Sequence, residues 1–235
     1  MVGRQLIRFA QLTLLFFLSV DLAFAQASSG FVAPVIAVWD FDNHTVPEVT
    51  TLTQLDFLSR SLSEITLGTL VGGANFKVVD RIHLQQVLVE QQIGSSVLTD
   101  ADARLRLGRI MGAQRMVFGS FMAVADEIQV NLRAVDSATS QVVFADEFTS
   151  TYADVLVQAQ KMSVKLARTL GAPAMKPMPA QSNQLWLAYD QVLADADAGR
   201  FDKALDALKI LLAQAPDFAP AQRQLSAVLE QLARQ

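Results

Sequence analysis

Residues 76–136 hold the tightest pattern in the chain: FKVVDRIHLQQVLVEQQIGSSVLTDADARLRLGRIMGAQRMVFGS, then a run ending in DEIQVNLRAVD. Ile128, Val130, Leu132 and Ala134 alternate without a break, which is the mark of a strand with one buried face. Residues 116–124 alternate in the same way. Phe76 to Val79 reads as a short strand ending at Asp80-Arg81. Leu84, Val87 or Leu88, and Gln91 recur at helical spacing within residues 82–93, and Gly94-Ser95-Ser96 ends that helix. Thr99 is a fitting N-cap, with Asp100 and Asp102 in the first turn, where the helix dipole favours negative charge. Ala103, Leu107 and Ile110 then share a side, and Gly112 stands where a C′ glycine belongs. The stretch is therefore strand, helix, helix and two strands.

The flanking sequence extends this reading. Residues 34–41 (PVIAVWDF) form an almost continuous apolar run, as a strand covered on both faces would. Asp42-Asn43-His44-Thr45 reads as a turn. Leu52, Leu55, Leu58, Leu62 and Ile65 mark one face of a long helix ending at Gly72-Gly73. Strand, helix and strand in succession make a βαβ unit with parallel strands. Residues 115–125, 127–135 and 141–149 are joined by short turns and read as an antiparallel meander. Residues 152–170 follow as an amphipathic helix carrying Val155, Ala159, Met162 and Leu166 on one side. The expected class is α/β: a mixed sheet of about five strands, flanked by helices.

Residues 171–183 (GAPAMKPMPAQSN) form a linker whose prolines cannot continue a helix. The tail, 184–235, is helical throughout. Its phrase GRFDKALDALKILLAQAPDFAPA resembles a tetratricopeptide repeat: Phe201, Ala204, Leu205, Leu208, Leu211 and Leu212 fit the second helix, and Pro216 falls where that helix ends. Gln191 and Asp195 fit the first helix poorly. A third helix starts at Pro220. About one and a half repeats are present where about three usually stand alone, so the tail should lean on the first domain, a copy of itself or a partner.

The N-terminus reads as a secretory leader. Arg4 and Arg8 precede an uncharged run, FAQLTLLFFLSV, and Ala23-Phe24-Ala25 supplies small residues for cleavage after Ala25. The run is shorter than the roughly 18 apolar residues of a membrane helix. The expected parts are thus a leader (1–25), an α/β domain (26–171), a linker (172–183) and a helical tail (184–235). With a net charge of −4 and no basic cluster, nucleic acid and anionic lipid are poor partners. With no cysteine, disulfides and thiol chemistry are excluded.

The pieces FKVVDR, LQQVLVEQ, LGRIMGAQRMVFGS and IQVNLRAVDSATSQVV, in this order and spacing, resemble the CsgG family of curli-assembly proteins and their soluble relatives, over roughly residues 34–171. The resemblance implies an envelope protein. Family members are commonly lipoproteins anchored through a cysteine that this chain lacks, so a cleaved, periplasmic protein is expected, reaching the outer membrane only through partners. The founding member builds a barrel from long hairpins inserted before the strand matching IQVNLR and beyond the strand matching SQVVFADEF. A membrane-crossing strand takes about 9–11 residues. Neither place here has that room, so no pore is expected from this chain alone. Other relatives dock on periplasmic proteins, some of them activating peptidoglycan synthases.

Little in the sequence carries chemistry. His83 lies among apolar neighbours and reads as a helix-start histidine. His44, beside Asp40 and Asp42 at a strand end, marks the best place to look for a site. No G-x-S-x-G or phosphate loop is present, and the pairs Asp126-Glu127 and Asp146-Glu147 fall at strand edges or turns, where carboxylates are solvated. The expectation is a non-catalytic protein with no cofactor and no metal, binding proteins of the envelope or secretion machinery, with homo-oligomerisation open. The expected contact residues are Asp42, Asn43 and His44 on the α/β domain and Tyr189, Arg200 and Arg223 on the tail.

Overall fold

The computed structural model describes residues 33–71, 76–79, 101–172 and 181–234. The leader, the expected helix of residues 82–93 with His83, the Thr99 cap, the Gly72-Gly73 turn and the prolines of the linker lie outside the described residues.

Strand β1 (Val35–Val38) pairs in parallel with β3 (Lys77–Val79) on one side and with β4 (Arg115–Val124) on the other. Strands β4, β5 (Glu127–Asp136) and β6 (Val142–Thr151) follow as an antiparallel meander. The order is β3-β1-β4-β5-β6, with a short β2 (Asp42–Asn43) also paired to β4. The βαβ start and the meander are as expected. The sixth strand is not.

Residues 42–43 are not a turn. Asp42 pairs with Ser120 and Asn43 with Phe121, so β2 resumes the path of β1 along the same edge of β4. Between the two paired stretches, residues 39–41 oppose only Phe118 and Gly119. This extra residue is a bulge, which breaks the expected continuous strand and re-aims the chain. Phe41 folds its ring over Gly119, where an added Cβ would come within 2.2 Å of a ring carbon. Glycine at that position is a packing requirement.

Helix α1 (Phe57–Val71) and helix α3 (Val155–Thr169) cover one face of the sheet. That face presents Val117, Phe121, Ala123, Ile128, Val130, Leu132 and Ala134, all buried. α1 starts later than the apolar spacing suggested. Leu52 and Leu55 precede it, Gln54 takes a left-handed φ of 57°, and Leu55 is buried from the loop. Ser61, Ser63, Glu64 and Thr66 of α1 are buried along with its leucines, so the helix is enclosed on more than one side. Small hydroxyl residues permit this. The Thr66 hydroxyl lies 3.0 Å from that of Ser163 on α3, and each also bonds a carbonyl one turn back in its own helix.

Helix α2 (Ala101–Ile110) covers part of the other face, over Ala37, Trp39, Met116, Phe118 and Val135. Ala103 and Leu107 are buried as expected, but Ile110 is 65% exposed. Gly112 closes the helix with φ 71°.

The tail forms helices α4 (Asn183–Asp197), α5 (Phe201–Gln214) and α6 (Ala219–Ala233). Trp186, Tyr189 and Phe218 meet edge to face, with ring centroids 4.8 to 6.0 Å apart. These side chains and those around α1 belong to one continuous apolar cluster. The tail therefore leans on the first domain, through α1.

Candidate functional site

The outer face of β4–β6 is open beyond the end of α2. Side chains alternate across a strand, so Phe118 and Ser120 of β4, Asn131 and Arg133 of β5, and Ala145 and Glu147 of β6 share that face. The register sets Phe118 opposite Arg133, Ser120 opposite Asn131, Arg133 opposite Ala145 and Asn131 opposite Glu147. Asp42 from β2, His44 just beyond that strand, and Arg104 from α2 rise beside them. Together they line a cleft of about 770 Å³.

Arg104 is the best-anchored side chain in the cleft. Its side chain is 6% exposed, and one guanidinium nitrogen donates to both carboxylate oxygens of Asp42, at 2.9 and 3.0 Å. The guanidinium carbon lies 5.9 Å from the ring centroids of Trp39 and Phe118. Arg133 sets a second guanidinium 5.5 Å from the Phe118 ring. Such stacking favours arginine over lysine, since the flat, weakly hydrated guanidinium suits an aromatic surface. The result is a floor of mixed charge with preset donors and acceptors.

Of the expected contact residues, Asp42 and His44 line this cleft. Asn43 points to the opposite side of β2, donating to Asp56 at 3.1 Å and accepting from the Thr45 amide at 2.9 Å. Asp40 accepts from Ser63 on α1 at 3.0 Å and does not join the cleft lining.

The three tail residues are engaged within the fold, two of them inside the tail and one between the tail and α1. Tyr189 is a correction: it is 2% exposed, and its hydroxyl donates to the Pro220 carbonyl at 3.1 Å, so it is a core residue unavailable to a partner. Arg223 pairs with Glu64 at 3.0 Å, joining α6 to α1. Arg200 pairs with Asp195 at 2.7 Å across the turn between α4 and α5.

Arg104, Phe118, Asn131, Arg133 and Glu147 were not among the expected contacts. The alternation in QVNLRAVD put Asn131 and Arg133 on one face, but the partner strands that make that face a cleft are distant in sequence.

Among the described residues, no hydrogen bond joins His44 to Asp42 or Ser120. No group of three or more His, Asp or Glu side chains among them could hold a metal ion. No helix among them is long and apolar enough to cross a membrane.

Among solved structures, the chain is similar to the LpoB C-terminal domain from Salmonella enterica (14% identity, TM-score 0.42, covering 54% of this chain and 88% of that one). It is also similar to the lipoprotein GNA1162 from Neisseria meningitidis (11%, 0.42, 60% and 99%) and to the PelC dodecamer from Paraburkholderia phytofirmans (16%, 0.37, 61% and 91%). Likeness of this degree says nothing of the chain's chemistry. Among curated proteins, none matches the sequence. The profile of one protein family, described as curli production assembly/transport component CsgG, matches residues 19–125; it ends in the β4–β5 turn, so the IQVNLR strand, β6 and the tail lie beyond what this chain is shown to share with that family.

Proposed function

We propose that this chain is a non-catalytic adaptor of the cell envelope, exported to the periplasm and cleaved after Ala25, that binds a protein partner on the outer face of β4–β6. The match to the CsgG family supports an envelope setting. The observation that carries the non-catalytic reading is the commitment of Asp42. Both of its carboxylate oxygens accept from Arg104, and among the described residues no hydrogen bond joins it to His44 to orient that ring as a general base. What remains is a polar floor in which Arg133, Phe118 and Asn131 can meet side chains of either charge. Two residues join β4 to β5, and three join β6 to α3, which supports a chain that makes no pore by itself. The tail is a second docking element, built like a short tetratricopeptide array.

Cross-linking in periplasmic extract tests this, comparing the wild-type chain with Arg133→Glu. Recovery of a channel or fibre subunit, lost in the variant, supports an assembly adaptor. Recovery of a peptidoglycan synthase would instead make the chain a regulator of that enzyme. A hydrolytic activity abolished by His44→Ala would overturn the non-catalytic reading.

A further inference from the structure

Arg133 and Glu147 stand on neighbouring strands of the cleft floor, at diagonal positions. Arg133 of β5 faces Ala145 of β6, and Glu147 lies two residues further along β6, facing Asn131. Diagonal neighbours on an antiparallel pair are about 7–8 Å apart, within reach of two long side chains of opposite charge. These two do not meet. Among the described residues, no hydrogen bond or ion pair engages the Arg133 guanidinium or the Glu147 carboxylate; the Glu147 amide donates to Asp146.

Phe118 keeps them apart. It faces Arg133 from β4, on the side away from β6, and the guanidinium carbon lies 5.5 Å from its ring centroid. An exposed ion pair gains little in water, so a ring contact of similar worth can hold the guanidinium instead. The cation therefore leans toward β4, the anion stands on β6, and Asn131 and Ala145 form the floor between them. The other carboxylates and the other guanidinium that line the cleft are already engaged, Asp42 with Arg104 and Asp146 with Lys165.

We propose that the cleft takes an extended segment of the protein partner carrying an acidic and a basic side chain two residues apart, the acid on Arg133 and the base on Glu147. This rests on the reading of the cleft as a protein-binding face. Spacing and charge both select the occupant. Side chains two apart on an extended chain share a face and lie about 7 Å from one another, which matches the diagonal. A purely acidic segment would set like charges together at Glu147, and a purely basic one would do so at Arg133. A guanidinium stacked on a ring keeps its edge N–H groups for a carboxylate.

Selection of phage-displayed random peptides on the full chain tests this. The enriched peptides should carry an acid and a base two residues apart. Arg133→Ala and Glu147→Gln, both at exposed positions, should each weaken a selected peptide about tenfold with the melting temperature unchanged. Replacing the peptide's acid by its amide should then cost nothing further in Arg133→Ala, and replacing its base nothing further in Glu147→Gln. Phe118→Leu should also weaken binding, because it frees Arg133 to close on Glu147 while both charges remain. Selected peptides that need the cleft but lack the charge pair overturn this inference and leave the protein-binding reading standing. Peptides insensitive to all three variants, or no enrichment, overturn it too, and the cross-linking with Arg133→Glu decides the broader reading separately.

Discussion

Glu64 on α1 and Arg223 on α6 meet at 3.0 Å, with the Glu64 side chain only 9% exposed. One turn earlier on α1, Arg60 donates to the side chain and the backbone carbonyl of Asp190 on α4, at 2.8 and 3.2 Å. Opposite charges on successive turns of α1 thus receive opposite charges from two tail helices. This pattern fixes which way the tail lies, because reversing it would set like charges together.

Arg223→Ala should destabilise the protein by about 1–3 kcal/mol, because it leaves a nearly buried carboxylate without its guanidinium. Glu64→Gln should cost less, since an amide tolerates burial better than an ion. Urea unfolding of both single variants and the double variant checks this. A double-variant cost below the sum of the two single costs would show the coupling, whereas additive costs would mean that the two side chains do not interact.

Asp42→Ala should cost about 1–3 kcal/mol, between the values for exposed and buried pairs, since the Arg104 side chain is enclosed while Asp42 is 43% exposed. Removing both partners, as Asp42→Ala with Arg104→Leu, should recover part of the loss. Thermal denaturation of the two variants decides it. If the double variant is the less stable of the two, the pair does not work as described.

Ala125→Gly should stabilise the chain by about 0.5–1 kcal/mol. Ala125 occupies the two-residue β4–β5 turn with φ 53°, a left-handed conformation that glycine adopts without a Cβ penalty. The turn is also held by its backbone. The Ala125 amide donates to Val49 at 2.7 Å, and its carbonyl accepts from the Thr50 hydroxyl at 2.6 Å. A lowered denaturation midpoint for Ala125→Gly would show that the alanine is not strained.

Asp136 ends β5, and its carboxyl is held below the usual carboxylate range. The Thr139 backbone amide is the main cause, helped by the Thr139 side chain, the Arg115 guanidinium and the Ala138 amide against a desolvation cost. A folded-state value below the unfolded one adds stability above the unfolded value, and that stability is lost as pH falls through the folded one. Asp136→Asn should therefore flatten the acid limb of the stability profile below about pH 4, the unperturbed range. Urea midpoints measured from neutral to acid pH test this; parallel profiles for wild type and variant would remove Asp136 from the acid response.

The meander was legible because β5 is covered on one face only, so Ile128, Val130, Leu132 and Ala134 show the period directly. α1 was harder to read. Its sides meet sheet, helix and tail, so serines and threonines are buried beside leucines and its apolar stripe does not mark one face. The helix start was misplaced for a local reason, the left-handed Gln54. Asp42 and Asn43 looked like a turn because their strand is two residues long and exists only through β4. The burial of Arg104 was not legible at all. Arginine on a helix reads as solvated, and its enclosure depends on Trp39 and Phe118, brought together by the fold. Tyr189 erred the other way: a tyrosine on a repeat-like helix suggested a contact surface, but Phe218 and Pro220 claim both its ring and its hydroxyl.

α1 is shared by the sheet and the tail, and this has a mechanical consequence. A tug on α6 is passed through Arg223 and Glu64 into a rod already wedged beneath β1 and β4. A partner gripping the tail would load the strands at once, with no slack element between, and would feel the stiffness of the whole molecule.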